Sequence, residues 1–458
     1  MNTENILLQP DSYKQSHYMQ SQEKVVAKNF YLGPRKGDAN VFFGLQYILQ
    51  RYFTQPITKQ MIEEAEDFLP QHGLPVNSEG FNRIFNEHRG YFPVIIEAIP
   101  EGTVTGPNVA QMQIRNTTVG FDWLPGWLET TLHRVWYPST VATHDLHRRK
   151  IIMKFLKDTG TPSLIDFKLH DFGARGASSF ETAGIGGMAH LLNFLGTDTV
   201  TGCLFANKYY GAPLPVGYSI PASEHSTITP WGRDNEFAAH RNMLTKFMKP
   251  GGLVASVSDS YDLFNTIQKG WCGELKDEVV NSGGTLVVRP DSGNPVEIVD
   301  RTITMLMNGF GYRTNAKGYK VLPDYIRVIQ GDGITNDTIC DILSRLQIEE
   351  ISADNIAFGM GGAMLQGVGR DDFGYAMKCS AVAEEEGPWK DVMKDPKTDP
   401  KKKSLAGILA TIDKVSPSVP RHSAGRIDPD MLAPVYLNGR MMNTQTFDQI
   451  RAKIRSYD

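Results

Sequence analysis

Three apolar runs of the chain each end in a turn whose residues suit the binding of a phosphorylated sugar. The runs are TLVVRPDSGNP (285–295), YIRVIQGDGI (325–334) and DNIAFGMGGAML (354–365). Each predicts a buried strand that ends at a glycine-containing loop. Because ligands of α/β folds bind at the carboxyl ends of the strands, three such turns in series predict one phosphosugar site.

The first two turns carry charged side chains that match ribose and phosphate. Arg289 presents a planar fork of donors suited to phosphate, and Asp291 can accept two ribose hydroxyls or hold Mg²⁺. Asp332, which lies between Gly331 and Gly333, is a suitable sugar or metal ligand. Two alternatives remain open. Arg289 and Asp291 can form an ion pair that closes a turn, and Asp-Gly is a common turn pair.

The third turn offers backbone N–H groups instead of charge. Gly361 and Gly362 precede residues that favour a helix, so the free N–H groups at the helix start predict an anion site. A left-handed turn that binds nothing is the alternative.

A histidine stands at the end of a further predicted strand. His225 lies in PASEHST (221–227), directly after the apolar run Val216–Ile220. Beside Glu224 and two hydroxyl residues, it can act as a base or accept a phosphoryl group. A structural role for this single histidine is the alternative.

Two other segments carry residues that can recognise a flat ring. Phe172 and Arg175 lie in HDFGARG (170–176), again after a predicted strand, and an aromatic ring beside an arginine at a loop tip can stack on a ring. A core position is the alternative for Phe172. Asp198, in GTDTV (196–200), stands at the entry to a predicted strand, where a turn or a helix cap is the default role.

The composition excludes several kinds of partner. The 47 basic and 51 acidic residues leave a net charge of −4, which predicts no general attraction to nucleic acid or an anionic membrane. Neither a signal peptide pattern nor a membrane-spanning apolar stretch is found. The four cysteines form no CxxC pair, which predicts reduced thiols and a cytoplasmic protein. The basic loop 394–403 is either solvated surface or a cover for a polyphosphate.

Strand and helix patterns alternate between residues 160 and 371. The predicted strands are Leu164–Leu169, Thr199–Leu204, Val216–Ile220, Leu253–Val257, Thr285–Val288, Tyr325–Ile329 and Asn355–Phe358. The predicted helices between them include Glu236–Met248, Tyr261–Asn281, Val296–Met307 and Asn336–Leu346. This alternation predicts an α/β fold with a parallel, barrel-like (β/α) domain over 160–371. Residues 1–159 and 372–458 are predicted to form a discontinuous α+β flanking domain.

In this order the motifs resemble those of the nicotinamide phosphoribosyltransferases, which belong to the type II phosphoribosyltransferase family. The matching segments are DSYK, FGLQYIL, WYPSTVAT, HDFGARG, ETAGIGG, GTDTV, GYSIPASEHSTIT, VSDSYD, RPDSG, QGDG, NIAFGMGG, MKCS and KDP. They cover nearly the whole chain, and a generic barrel does not carry them in this order. The join between the two terminal segments rests mainly on this resemblance.

The resemblance implies a reaction. Nicotinamide displaces pyrophosphate from 5-phosphoribosyl-1-pyrophosphate and yields nicotinamide mononucleotide, a step of NAD salvage. It also implies Mg²⁺ on the pyrophosphate, ATP hydrolysis coupled through a phosphorylated histidine, and a homodimer with active sites at the interface. Such an enzyme must stabilise an oxocarbenium-like sugar and a departing polyanion.

The same resemblance implies roles for individual residues. Phe172 and Tyr13, the latter from the partner subunit, would enclose the pyridine ring, and Asp198 would accept from the carboxamide. The remaining base-pocket residues are Arg175, Ser219 and Arg289. Asp291, Gly331 and Asp332 would hold the ribose, Gly361 and Gly362 the 5′-phosphate, and His225 would carry the phosphoryl group. Phosphate or pyrophosphate would be held by Arg35, Arg370, Lys378, Lys394 and Lys402.

One of these assignments departs from the family pattern. The context of Arg35, LGPRK, matches loosely, and the segment 36–41 that follows is shorter than the lysine-rich insertion of the animal members.

Two alternatives to this function remain at the level of sequence. A nicotinate phosphoribosyltransferase would share the fold and the chemistry, and Asp198 argues against it because an anionic acceptor repels a carboxylate. A non-catalytic nucleotide-binding protein on the same fold is the second alternative. The intact set of charged candidate residues argues against that.

Overall fold

The computed structural model describes residues 2–385, 387–422 and 430–457, and within them the chain forms two compact units. Unit 1 comprises Met1–Thr143, Lys208–Ala212 and Gly369–Tyr457, and unit 2 comprises His144–Asn207 and Pro213–Val368. The units therefore change at 143/144 and 368/369, whereas the predicted domains change at 159/160 and 371/372. The predicted outer limits, Met1 and Asp458, lie outside the described residues.

Unit 1 is built on a seven-stranded antiparallel sheet. In spatial order its strands are Lys390–Asp391, Ala376–Glu384, Val25–Gly33, Met112–Asn116, Val94–Ala98, Ala433–Leu437 and Arg440–Met441. The longest pairing joins Val25–Gly33 to Ala376–Glu384. Segments far apart in sequence thus share one sheet, as the predicted discontinuous α+β part requires. Two short pairs are Asn40–Val41 with Val104–Thr105 and Leu409–Ala410 with Val419–Pro420.

Helices and aromatic side chains complete unit 1. The α-helices are Leu45–Ile48, Lys59–Gln71, Ser78–Glu87, Leu124–Trp127, Glu129–His133 and Phe447–Arg455. Shorter turns are the 3₁₀ segments Ile6–Leu8, Ser12–Met19 and Pro400–Lys402 and the π-helix Leu49–Phe53. The Phe53 ring meets the rings of Phe92 and Tyr436 edge to face, at centroid distances of 5.6 and 5.5 Å. Such buried aromatic pairs stabilise the core beyond the area that they bury.

Unit 2 is built on a six-stranded parallel sheet that curls into a half-barrel. In spatial order its strands are Gly196–Thr197, Leu169–Asp171, Ile356–Met360, Ile326–Gln330, Thr285–Arg289 and Leu253–Val257. Every pairing in this sheet is parallel. The longer strands are nearly continuous apolar runs because both faces of a parallel sheet are covered. The predicted α/β class with a parallel, barrel-like sheet is confirmed.

The helices of unit 2 connect these strands. They are Phe180–His190, His225–Ile228, Glu236–Phe247, Leu263–Asn265, Lys276–Asn281, Pro295–Phe310, Asn336–Ile348 and Gly362–Leu365, with the π-helix Thr266–Glu274. Short 3₁₀ segments are Pro162–Phe167, Ala174–Gly176, Thr229–Trp231, Arg233–Asn235 and Ala353–Asn355. A small hairpin pairs Arg313–Thr314 with Lys320–Val321. The boundaries between the units after Thr143 and after Asn207 fall inside the helices Trp136–Thr159 and Val200–Tyr210, respectively.

Three predicted strands near the start of unit 2 differ from the structure. Thr199–Leu204 was predicted as a strand but lies almost wholly in the helix Val200–Tyr210. The segment Leu164–Leu169 is mostly a 3₁₀ turn, and the strand begins only at Leu169. The segment Val216–Ile220 forms a single β-bridge, between Tyr218 and Gly196, and no longer strand. The four later strands are confirmed, and so are the helices predicted at Glu236–Met248, Val296–Met307 and Asn336–Leu346. The helix predicted over Tyr261–Asn281 is instead divided into the α-helix Leu263–Asn265, the π-helix Thr266–Glu274 and the α-helix Lys276–Asn281.

Tertiary packing explains the helix at 200–210. A Cβ added at Gly202 would lie 2.6 Å from the carbonyl carbon of Gly187, so two helices approach there with almost no side chain between them. This close packing stabilises a helix over residues whose apolar and β-branched types alone suggest a strand.

A buried ionic group supports the strand ahead of Asp198. Asp145 contacts His190 Nδ1 at 2.7 Å and Arg148 Nη1 at 2.7 Å, and His190 Nε2 donates to the Gly196 carbonyl at 2.9 Å. Burial alone would raise the pKa of Asp145, but the His190 and Arg148 charges lower it. The group holds Gly196 in place, two residues before Asp198.

Within 2–385, 387–422 and 430–457, no helix combines the length and the apolar character needed to cross a membrane.

Candidate active site

The carboxyl ends of the unit 2 strands open onto a cavity of about 700 Å³. Its wall at this end includes Phe172, Asp198, Ser219 and Arg289. The cavity continues along the inner face of the sheet, where Ala255, Val287 and Ile329 form an apolar lining. Alternate residues of a strand point to opposite faces, so Val287 and Arg289 face the same side. The cavity is apolar along the sheet and polar at both ends, because Lys168, Asp324 and Arg327 line it at the amino ends of the strands. The apolar stretch beside polar groups at the carboxyl ends suits a flat, polar-substituted ring.

Phe172 is held in the cavity wall by the backbone around it. Its N–H donates to the Met360 carbonyl at 2.9 Å. Its ring lies directly over Gly359, where an added Cβ would come within 2.0 Å of Phe172 Cε2, and next to Gly331, where the distance would be 3.4 Å. The Arg289 Cζ atom is 5.6 Å from the ring centroid. Phe172 is therefore a cavity-wall aromatic that packs on one glycine of the strand Ile356–Met360 and on one glycine of the turn after Gln330.

Asp198 and Ser219 form a polar pair in the same wall. Asp198 donates its N–H to the Asp171 carbonyl at 2.9 Å, which anchors its backbone. The Ser219 hydroxyl donates to Asp198 Oδ1 at 2.6 Å. The structure thus brings a carboxylate from the end of one strand to a serine 21 residues further along. A carboxylate in such a wall accepts from N–H donors and repels anions.

Arg289 and Asp291 form the ion pair that was the structural alternative. The Arg289 guanidinium contacts both oxygens of Asp291, each at 2.9 Å from Nη2. Arg289 still lines the cavity, and Asp291 lies beside Gly331, where an added Cβ would be 3.2 Å from Asp291 Oδ1. The pair therefore stands at the mouth of the cavity, next to the Gly331–Asp332 turn.

His225 stands among polar side chains at neighbouring strand ends. Its Nδ1 lies 3.1 Å from the Ser260 hydroxyl, and its Nε2 lies 3.6 Å from both Asp259 and Asp291. The Asp259 side chain is 4% exposed, and its Oδ2 accepts from the Asp291 N–H at 3.0 Å and from the Ser292 hydroxyl. Two carboxylates and a hydroxyl therefore surround this imidazole.

Asp259 and Ser260 were not predicted as site residues, although a signal was present. Asp259 and Ser260 are the second and third residues after the strand Leu253–Val257. Asp291 is likewise the second residue after its strand, Thr285–Arg289. The segment VSDSYD (257–262) matches a motif of the family, but the resemblance assigns no role to its first aspartate, Asp259. Gly359 was also missed, because its importance depends on the Phe172 ring that packs on it.

Gly361 and Gly362 lie at the start of the four-residue helix Gly362–Leu365. The φ angle of Gly361 is −84°, so the predicted alternative of a left-handed turn is wrong at this glycine. A Cβ added at Gly176 would lie 2.6 Å from Gly362 Cα, so the Arg175 loop approaches this turn closely. Arg175 itself is 81% exposed and contacts Glu224 at 3.5 Å.

Two further groups in the cavity wall have lowered pKa values. Burial lowers the pKa of Lys168 to about 7, while its Nζ donates to the carbonyls of Ala353, Asp354 and Ile356. Burial also lowers the pKa of His170 to about 4, so that imidazole is neutral near pH 7. Neither residue was predicted; His170 belongs to the HDFGARG motif, whereas nothing in the sequence singles out Lys168.

The other predicted residues lie in unit 1, where four cations form a cluster. Burial lowers the pKa of Lys378, the Glu129 carboxylate raises it, and the charges of Arg35, Lys394 and Arg370 lower it further. Arg35 Nε donates to the Gly374 carbonyl at 2.9 Å. The Lys394 N–H donates to the Ser404 hydroxyl and the Ser404 N–H donates to the Lys394 carbonyl, both at 2.9 Å. These four cations, which lie far apart in sequence, are therefore near one another, with the Glu129 carboxylate beside Lys378 and Asp371 paired to Arg370 at 3.0 Å. Lys402 pairs with Asp399 at 3.2 Å.

Tyr13 lies on a well-anchored segment of unit 1. Its side chain is 59% exposed. The next residue, Lys14, is buried and donates to Glu129 at 2.6 Å and to the Gly126 carbonyl at 3.1 Å. The segment therefore presents an aromatic ring outward from a fixed backbone.

No group of three or more His, Cys, Asp or Glu side chains suited to a metal ion is found in the part of the chain that the structure describes. A divalent ion at the site would need ligand atoms from a bound molecule as well, which is the usual manner for Mg²⁺.

Comparison with known proteins identifies the family. The model of the nicotinate phosphoribosyltransferase (NAPRTase) family matches residues 167–429, and that of the nicotinamide phosphoribosyltransferase N-terminal domain matches residues 5–96. A nicotinamide phosphoribosyltransferase from Xanthomonas campestris pv. campestris is 46% identical over 462 residues, which covers 98% of each chain. One from Acinetobacter baylyi is 30% identical over 449 residues, or 91% of this chain and 88% of the relative.

Solved structures support the same fold. Nicotinate-nucleotide pyrophosphorylase from Pyrococcus furiosus matches with a TM-score of 0.62 at 16% identity, over 100% of this chain and 96% of that one. Human nicotinic acid phosphoribosyltransferase matches with a TM-score of 0.57 at 16% identity, over 98% and 93%. At these identities the likeness concerns the fold alone. The full-length relatives and the family models show that the chain belongs to the nicotinamide phosphoribosyltransferases, within the nicotinate phosphoribosyltransferase family, whose enzymes carry out phosphoribosyl transfer in NAD salvage.

Proposed function

We propose that this enzyme transfers the phosphoribosyl group of 5-phosphoribosyl-1-pyrophosphate to nicotinamide, giving nicotinamide mononucleotide and pyrophosphate. The observation that carries the choice of nicotinamide is the Asp198–Ser219 pair in the cavity wall that also contains Phe172. The pyridine ring lies on Phe172, and its carboxamide N–H₂ donates to the Asp198 carboxylate. Ser219 orients that carboxylate through its 2.6 Å hydrogen bond.

The ribose and its phosphates bind at the neighbouring strand ends. Asp291 and the Gly331–Asp332 turn hold the ribose hydroxyls, and Gly361 and Gly362 bind the 5′-phosphate through backbone N–H groups. Arg289 and Arg175 add positive charge at the junction of ring and sugar. For this, Arg289 exchanges part of its contact with Asp291 for a substrate oxygen, as a guanidinium with several donors can.

The bond that breaks joins the anomeric carbon of the ribose to the pyrophosphate oxygen. Positive charge develops on the sugar, where the Asp291 carboxylate stabilises it, and the ring nitrogen of nicotinamide forms the new bond. The leaving pyrophosphate takes the bonding electrons and needs cations. Our candidates, from the family resemblance, are Arg35, Arg370, Lys378, Lys394 and Lys402.

Mg²⁺ binding fits the same carboxylates. Asp291 Oδ1 lies beside Gly331, and Asp332 is the next residue of that turn. Mg²⁺ prefers one or two carboxylates together with phosphate oxygens, so these two are the candidate ligands. When bound, Mg²⁺ supplies charge neutralisation on the departing pyrophosphate.

A homodimer completes the site in this proposal. The exposed Tyr13 ring covers the second face of the pyridine in the partner subunit, while Lys14 and Glu129 hold its segment rigid. A stacked ring between two aromatic side chains loses contact with water on both faces, which favours a flat, weakly polar base.

ATP hydrolysis is coupled through His225. A ring nitrogen of His225 attacks the γ-phosphorus of ATP, the bond from that phosphorus to the bridging oxygen breaks, and ADP leaves with the electron pair. Water later attacks the phosphorus of the phosphohistidine, the N–P bond breaks, and phosphate leaves while the imidazole is restored. Asp259 and Asp291, each 3.6 Å from Nε2, orient the imidazole and stabilise the positive charge that it gains.

Product analysis with four reaction mixtures tests the proposal. Purified enzyme with 5-phosphoribosyl-1-pyrophosphate and Mg²⁺ receives nicotinamide or nicotinate, each with and without ATP. We expect nicotinamide mononucleotide in both nicotinamide mixtures, more of it with ATP, and little nicotinate mononucleotide. Preferential use of nicotinate would instead establish the alternative specificity. Because the family consists of enzymes, a non-catalytic nucleotide-binding role has no supporting observation.

Gly359→Ala is expected to raise the KM for nicotinamide roughly tenfold to a hundredfold, since small misplacements in a site have effects of this order. The added Cβ would lie 2.0 Å from Phe172 Cε2, so the ring must leave the position on which the base stacks. Steady-state kinetics with varied nicotinamide measures the effect. Gly387→Ala is the control, because its Cβ would meet nothing closer than 3.5 Å. An unchanged KM in a folded Gly359→Ala enzyme would show that Phe172 does not hold the base.

A further inference from the structure

A fully buried histidine lies next to the segment that carries Asp198. The side chains of His190 and Asp145 are both 0% exposed. His190 Nδ1 lies 2.7 Å from Asp145 Oδ2, and His190 Nε2 lies 2.9 Å from the carbonyl oxygen of Gly196. The imidazole therefore joins Asp145 to the strand Gly196–Thr197, which ends directly before Asp198.

The two partners of His190 require a proton on each ring nitrogen. A carboxylate and a carbonyl oxygen can only accept, so both nitrogens donate and the ring is an imidazolium. Asp145 is ionised, because Arg148 Nη1 donates to its second oxygen at 2.7 Å. The pKa of His190 is raised: burial alone would lower it, but the carboxylates of Asp145 and Asp171 outweigh the burial. The positive charge is thus held by contacts that are shielded from solvent.

Gly196 lies between this imidazolium and the cavity. A Cβ added at Gly196 would be 2.3 Å from His170 Nδ1, so the Gly196 backbone packs directly against the His170 ring. His170 and Asp198 both line the cavity, and Asp198 is the second residue after Gly196. Because protein interiors are closely packed, a shift of Gly196 away from His190 would move groups of the cavity wall.

The same charge acts on Asp171, the residue before Phe172. Asp171 Oδ1 accepts from the Gly173 N–H at 2.7 Å, and the Asp171 carbonyl accepts from the Asp198 N–H at 2.9 Å. Burial raises the pKa of Asp171, and the positive charge of His190 lowers it. The imidazolium therefore favours the ionised form of a carboxylate whose backbone is bonded to that of Asp198.

We propose that His190, as a buried imidazolium, is a positioning residue for base recognition, and that its hydrogen bond to the Gly196 carbonyl fixes the place of Asp198 in the cavity wall. This inference rests on the role of Asp198 under the proposed function and adds the residue that holds this carboxylate in place. His190 itself is fully buried and does not touch the base. Its effect is therefore on binding of the base and not on the ribose or the phosphates.

Two neutral variants separate the hydrogen bond from the loss of charge. The side-chain nitrogen of His190→Gln reaches about as far as Nε2 and can donate to Gly196, whereas that of His190→Asn reaches only as far as Nδ1. We expect His190→Asn to raise the KM for nicotinamide about tenfold to a hundredfold, as small misplacements in a site do. The kcat and the KM for 5-phosphoribosyl-1-pyrophosphate should change little, because binding of the base alone is weakened. His190→Gln should recover most of the loss.

A measurement on the natural enzyme tests the proposal whether or not the variants fold. Nitrogen NMR of enzyme with isotope-labelled histidines distinguishes a doubly protonated ring from a neutral one. We expect one ring with slowly exchanging protons on both nitrogens at neutral pH. Burial lowers the pKa of His170 and of His240 to about 4, so each of those rings carries a single ring proton. Absence of a protected, doubly protonated ring would overturn the proposal.

The kinetic outcomes separate positioning from a general structural role. An unchanged KM for nicotinamide in folded His190→Asn overturns the proposal. An equal rise in both variants also overturns it, because the loss then comes from charge or packing and not from the bond to Gly196. A parallel rise in the KM for 5-phosphoribosyl-1-pyrophosphate does the same. Failure of the proposed function would instead appear in the natural enzyme, as a preference for nicotinate, and the two variants are then compared with that base.

Discussion

Asp198→Ser is expected to lower kcat/KM for nicotinamide about tenfold to a hundredfold and to increase the use of nicotinate relative to nicotinamide. A hydrogen bond to a charged acceptor contributes about 1.5–3 kcal/mol, and the substitution removes one from the carboxamide. It also removes the negative charge that repels the carboxylate of nicotinate, so rejection of that substrate weakens. The measurement is a competition assay in which both bases are present and both mononucleotides are quantified.

Asp324→Ser is a matched control for this experiment. Asp324 lines the same cavity but precedes the strand Ile326–Gln330, and its side chain is 81% exposed. Both variants lose one carboxylate from the cavity wall, yet only Asp198 stands beside Phe172 and Ser219 at the strand ends. We expect the control to keep the selectivity of the natural enzyme. Unchanged selectivity in Asp198→Ser would remove Asp198 as the determinant of base choice.

His225→Ala is expected to abolish ATP stimulation while a basal rate of phosphoribosyl transfer remains. The imidazole is the phosphoryl acceptor in the proposed coupling, and alanine has no nucleophilic atom. The basal rate persists because the base, ribose and phosphate contacts belong to other side chains. Product formation with and without ATP measures the effect, and phosphohistidine is sought by incubation with γ-labelled ATP.

His72→Ala serves as the control for the loss of a histidine. His72 is exposed at the end of the helix Lys59–Gln71, where its ring stacks on Phe68. This variant should retain full ATP stimulation and labelling. If His225→Ala is still stimulated by ATP to the natural extent, the phosphoryl acceptor is another residue. If it loses the basal rate as well while remaining folded, His225 acts directly in the transfer step.

The strand ends of the later half of unit 2 could be predicted from sequence because their signals are local. Thr285–Arg289, Ile326–Gln330 and Ile356–Met360 are apolar runs closed by glycine-containing turns, and each pattern arises from adjacent residues. The strand predicted over Thr199–Leu204 is wrong, because the contact of Gly202 with Gly187 that favours a helix there cannot be seen in a local stretch of sequence. The close approach of Gly202 and Gly187 depends on a second helix, Phe180–His190, which lies elsewhere in the sequence.

The residues missed by sequence analysis share the same cause. Asp259 matters because its carboxylate reaches His225 and holds the Asp291 backbone, and these residues are 34 and 32 positions away. Gly359 matters because the Phe172 ring occupies the space of a side chain there. Neither property belongs to the residue itself, so neither can be read from residue type and spacing.

By itself the sequence determined the chemical types available at each strand end and the order in which they follow one another. That was sufficient to predict a phosphosugar site and, with the motif order, the family. Only the tertiary structure decided which of these groups meet. It paired Arg289 with Asp291, placed two carboxylates beside His225, joined Asp198 to Ser219 and gathered four distant cations in unit 1. The physical reason is that side-chain contacts follow from the register and packing of separate segments, whereas strands and turns follow from neighbouring residues.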